Sequence, residues 1–101
     1  MTDTIQNDIA VVHEYKSIES IIFRTDTIAE LHIQGWGYDV YVDGKKMIHQ
    51  PHIPAVPGRQ VFRSRQEAEK VAALVSYKIK NNIMPPSLTT AELDSLGIAY
   101  E

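Results

Sequence analysis

The chain has 101 residues, 44% hydrophobic and 23% charged, with a formal charge of −3 and no cysteine. That length is enough for one core and too short for two, and the missing cysteine excludes disulfides, thiolate metal sites and a cysteine nucleophile. The ten basic residues are scattered among acidic ones, which argues against nucleic acid because phosphate binding needs a concentrated positive face.

Residues 1–8 are polar and bury nothing that would offset the entropy of ordering, so a flexible N-terminus is expected ahead of a single domain over 9–101. Met1 to Ala10 has neither the basic start nor the apolar stretch of a secretory leader. No apolar run approaches the roughly 20 residues that cross a bilayer, so no membrane span is expected. Ile9–Tyr15, Ser20–Thr25 and Ala29–Gln34 are short runs rich in Val, Ile and aromatic residues, parted by polar breaks, and are expected to be strands. In the third, Ala29, Leu31 and Ile33 alternate with Glu30, His32 and Gln34, a period of two that buries one face and wets the other.

Gly37 to Gln50 is expected to be a β-hairpin, because Asp43-Gly44 can adopt the positive φ of a tight turn between two extended runs. Two registers fit. A two-residue turn pairs Tyr38 with His49 and Val40 with Met47, whereas a type I turn with a Gly44 bulge pairs Tyr38 with Ile48 and sends His49 to the other face. Pro51, Pro54 and Pro57 lack N–H donors and restrict the residues before them, which predicts an extended, semi-rigid loop over 51–58. A short strand follows at Gln60–Phe62.

Ser64 and Glu67 have the spacing of a capping box, and Ala68, Val71, Ala72, Val75 and Ile79 follow on one face, predicting a helix from Arg65 to about Asn81. Pro85-Pro86 blocks its continuation. Thr89 and Glu92 make a second box before a short helix with Leu93 and Leu96, stopped by Gly97, and Ile98 brings the tail back to the core. Strands first and helices last, without βαβ alternation, predict an α+β fold whose antiparallel sheet of meander or hairpins packs on the long helix.

The run Gly35-Trp36-Gly37-Tyr38-Asp39-Val40, the segment Ile48-His49-Gln50-Pro51-His52-Ile53-Pro54-Ala55, then Phe62, the capped helix, Lys78-Ile79, Met84-Pro85-Pro86 and Glu92-Leu93 resemble an uncharacterised bacterial family, domain of unknown function 4907. The resemblance covers about residues 35 to 98 and brings no activity with it. Many members look like small exported or lipid-anchored proteins, which implies that this chain could be a mature, periplasmic or otherwise exported domain without its leader.

Candidate chemistry gathers at the hairpin and the proline loop. Trp36, Tyr38 and Tyr41 offer flat apolar faces with polar edges, the residue types that anchor protein, peptide or glycan partners. Tyr38 shares a face with Val40 and Val42 and therefore also belongs to the core pattern. Asp39, His49, Gln50 and His52 add polar groups beside them. The leading expectation is a non-catalytic binding module that uses this surface and needs no cofactor or metal. His49 and His52 with Asp39 or Asp43 could supply ligands to a divalent metal ion, and His49 with Asp39 or Glu30 is the only set for acid-base catalysis. A metal-dependent or acid-base enzyme would thus use His49, His52 and Asp39, but no nucleophile elbow or phosphate-binding loop accompanies them. A dimerising structural subunit, a homodimer made through the hairpin, is the third expectation.

Overall fold

A computed structural model describes residues 15–25 and 35–101. The expected strand Ala29–Gln34, most of the expected strand Ile9–Tyr15 and the loose segment 1–8 lie outside these residues. Among the described residues the order is β1 (Ile18–Thr25), β2 (Gly35–Val42), β3 (Lys45–Gln50), α1 (Arg65–Lys80) and α2 (Thr90–Leu96). The three strands form one antiparallel sheet in the order β1-β2-β3, a meander, and the fold is α+β.

Tyr38, Val40 and Val42 alternate along β2 toward α1, and the helix returns Ala68, Val71, Ala72, Val75 and Ile79; all are buried. Phe62, Ile53, Leu93 and Ile98 close this core from the loop, α2 and the tail. Burial pushes the Tyr38 phenol up, since the phenolate would lose its hydration. The loop caps the core through buried Ile53 and partly buried Val56, in keeping with its apolar pattern.

Both expected hairpin registers are corrected. Asp43 and Gly44 have φ of 50° and 84°, so the turn is the two-residue kind with both residues left-handed. A β-bulge at Met47 then adds one residue, and Tyr38 faces Gln50 while Asp39 faces His49 and Val40 faces Ile48. The turn also anchors β1: Oδ1 of Asp43 accepts the backbone N–H groups of Lys16 at 2.8 Å and Ser17 at 2.9 Å.

The short strand expected at Gln60–Phe62 is reduced to a single bridge, in which Trp36 and Phe62 exchange backbone hydrogen bonds of 3.0 and 3.2 Å. The first capping box is half formed. Ser64 Oγ accepts the Glu67 N–H at 3.1 Å, but the Glu67 carboxylate reaches the N–H of Arg63 at 3.3 Å and of Ala99 at 3.3 Å. It therefore ties the tail to the start of α1. The Thr89–Glu92 box is reciprocal, and Gly97 ends α2 in the left-handed region.

Candidate functional site

Alternation along β2 turns Trp36, Tyr38, Val40 and Val42 toward the helix side and Gly37, Asp39 and Tyr41 to the opposite, outer face. Register builds three rows on that face. Ile21, Asp39 and His49 form the central row; Glu19, Tyr41 and Lys46 form one flank; Phe23 and Gly37 begin the other, beside Pro51. Strict alternation would put Lys46 and His49, three residues apart, on opposite faces. The Met47 bulge puts both beside Asp39.

Asp39 is the centre of the arrangement. Its side chain is only 12% exposed, and Oδ1 lies 2.6 Å from Nδ1 of His49 while Oδ2 lies 3.5 Å from Nζ of Lys46. A carboxylate accepts only, so the imidazole is the donor of this contact, through Nδ1. The His49 side chain is 56% exposed. Its ring stacks on Phe23 with centroids 5.4 Å apart and planes 12° apart. The Lys46 ammonium also lies 5.9 Å from the Tyr41 ring centroid, within cation–π range.

Glycine at position 37 makes room for this layer. A Cβ there would meet the Gln50 carbonyl oxygen at 2.7 Å, the Pro51 Cα at 2.8 Å and Phe23 Cζ at 2.9 Å. The Phe23 ring can lie over β2, and reach His49, because no side chain stands in its way.

Three of the expected site residues therefore come together here: Asp39, Tyr41 and His49. Tyr38 lies under the sheet, 1% exposed and packed on Phe62 with ring centroids 5.9 Å apart. Trp36 is half-buried on the helix side, with the Arg24 and Arg65 guanidiniums 5.6 and 6.0 Å from its ring. Gln50 and His52 sit where β3 enters the loop, and Gln50 Nε2 donates to the His52 carbonyl at 2.7 Å. Ile21, Phe23 and Lys46 were not expected. The signal for the first two lies in Ile21-Ile22-Phe23, an apolar run that necessarily puts apolar side chains on both faces of a strand.

Among the described residues, no three His, Asp or Glu side chains gather as a metal-ion site, and no helix is long and apolar enough to cross a membrane. A family model described as domain of unknown function 4907 matches residues 30–95. Neither the curated proteins nor the solved structures hold a match.

Proposed function

The chain belongs to the family described as domain of unknown function 4907, which leaves its activity to be argued from its own surface, and we propose that it works by non-covalent recognition on the outer face of the sheet. Asp39 carries this reading. A carboxylate with a side chain only 12% exposed costs desolvation energy that an apolar residue in the same strand would not. Its two partners compensate for this, and both also reach solvent beside it. Such a polar centre, ringed by Ile21, Phe23 and Tyr41, has the make-up of a recognition surface, in which a few placed polar groups orient a ligand against apolar area. In this reading Asp39, Tyr41 and His49 contact the ligand, and Trp36, Gln50 and His52 meet only a partner large enough to pass the end of the sheet.

The test is retention. Cell extract is passed over immobilised wild type and over an Ile21→Asp, His49→Ala variant shown by circular dichroism to be folded. Material held by the wild type alone supports the reading, and equal retention on both overturns it.

One contact favours a second reading, acid-base chemistry. The 2.6 Å approach of Asp39 to His49 Nδ1 orients the imidazole as the carboxylate of a catalytic dyad does, with Nε2 placed to take a proton. Turnover that disappears in a folded His49→Ala chain would select this reading over simple binding.

A further inference from the structure

We infer that the tail is a strap: residues 99–101 hold the proline loop in a strained conformation through a clasp at Gln60, and their release loosens the loop while the core stays closed. This goes beyond the recognition reading and stands without it.

The strain lies at Ala55. Its φ is 70°, in the left-handed region where a Cβ crowds the following carbonyl oxygen. Such a residue persists where its surroundings over-determine it. Pro54 and Pro57 on either side have no N–H to donate, so no hydrogen-bonded turn can close at those positions. Gln60 supplies the restraint on both flanks of Ala55. Its backbone carbonyl accepts the Ile53 N–H at 2.7 Å, and its side-chain Nε2 donates to the Pro57 carbonyl at 2.9 Å.

The same side chain is held by the tail. Gln60 Oε1 accepts the Glu101 N–H at 2.6 Å, and Nε2 donates to the Glu101 carbonyl at 2.9 Å. A Gln amide has two N–H donors, so Nε2 serves Pro57 and Glu101 together and the tail fixes a rotamer that a free glutamine would leave for others. The tail thus sets in advance the side chain that grips the loop. The loop carries His52, whose carbonyl accepts from Gln50 Nε2, so the strap acts on the end of the sheet as well.

The strap opens more readily than the core. Ile98 is buried and its N–H returns to the Leu93 carbonyl at 3.0 Å, which fixes the tail up to that point. Beyond it the Tyr100 ring packs only partly on the core, and Ala99 and Glu101 are exposed. Polar ties hold this segment: the Ala99 N–H to Glu67 Oε2 at 3.3 Å, the Tyr100 O–H to Asp94 Oδ1 at 2.7 Å, and a 3.5 Å contact of Arg63 with the Glu101 carboxylate. Water competes for exposed bonds of this kind, and segments with little buried apolar area open well below the free energy of global unfolding. Coupling between two such segments is reciprocal. What frees the tail loosens the loop.

The experiment is native-state amide hydrogen exchange on the full ¹⁵N-labelled chain. Glu101→Pro deletes the N–H that Gln60 accepts and leaves Gln60 and the loop unaltered, while Glu101→Gln keeps that N–H. In Glu101→Pro the Ile53 amide is expected to exchange about threefold faster or more, with Val71, Ala72 and Val75 in α1 unchanged. An Ile53 rate equal to that of wild type overturns the inference, even where the Ala99 amide speeds up. So does a rise shared equally by Ile53 and α1, which reports global unfolding. An equal rise in Glu101→Gln traces the effect to Arg63 rather than to the clasp, and also overturns it. Gln60→Met cuts the clasp directly, and Ile53 should then exchange at least as fast as in Glu101→Pro; faster exchange in Gln60→Met alone would mean that Gln60 holds the loop without the tail.

Discussion

Gly37 shows how one missing side chain can organise a surface. Adding a methyl group there sets a Cβ under 3.0 Å from two backbone atoms, Gln50 O and Pro51 Cα, as well as from the Phe23 ring. A ring tip can swing away, but the backbone of β3 cannot without loosening the ladder. Gly37→Ala should therefore cost about 1–3 kcal/mol, the range of overpacking, seen as a lower urea midpoint, with the Phe23–His49 stack disturbed in the aromatic NMR signals. At the same scale, Asp39 and His49 should couple. A double-mutant cycle of Asp39→Asn and His49→Ala is expected to give an interaction of about 1 kcal/mol, kept modest because the imidazole is exposed to competing water. Additive losses would mean that the 2.6 Å contact contributes nothing net in solution. The sequence pointed to both residues but not to their pairing. The two registers it allowed differ by one residue, and a one-residue slip sends a side chain to the other side of the sheet.

Elements with several independent signals were the most legible. The long helix has an N-cap, an apolar stripe and a proline block, and it appears at Arg65–Lys80 with all five stripe residues buried. The bulge in β3 was hidden because Met47 has no mark of its own; nothing in Lys46-Met47-Ile48 distinguishes an extra residue from a regular one. The connection between the helices adds a charge lock. Lys78 Nζ lies 2.7 Å from Glu92 Oε2 and donates to the Ser87 carbonyl at 2.6 Å. The Lys78 ammonium, followed by the Thr89 N–H, holds the Glu92 carboxyl below the usual glutamate range. A carboxyl depressed in the folded state adds stability above its unfolded value and loses it as pH falls through the folded one. The stability difference between wild type and Glu92→Gln should thus be present at neutral pH and vanish in acid, as checked by urea denaturation across that range. A difference that persists in acid would mean that the carboxylate charge is not its source.

Across the whole molecule, the antiparallel sheet and its covering helix followed from period-two and helical patterns, whereas the outer face did not. That face draws Ile21 and Phe23 from β1, Asp39 and Tyr41 from β2, and Lys46 and His49 from β3, and only pairing brings them together. Spacing along the chain has no record of such rows. The core is easier to infer because burial repeats, and it depends strongly on Phe62. This residue is fully buried, packs on Tyr38 and joins the segment before α1 to β2 by its backbone. Phe62→Ala should cost about 3–5 kcal/mol, a large part of the roughly 5–15 kcal/mol that holds a domain folded. Chemical denaturation should show a chain close to its unfolding threshold at room temperature, and a loss under 1 kcal/mol would mean that the core refills the space.

The bulge at Met47 also means that the hairpin has a residue of slack. With Val42 opposite Lys45 and Val40 opposite Ile48, a chain shortened by one anywhere in 45–47 can close into an unbroken ladder while Ile48, His49 and Gln50 stay opposite the same neighbours. The tip of the hairpin can thus change length by one residue and leave the imidazole over its carboxylate. Where most strands would transmit a deletion as a reversal of every later side chain, this one can absorb it.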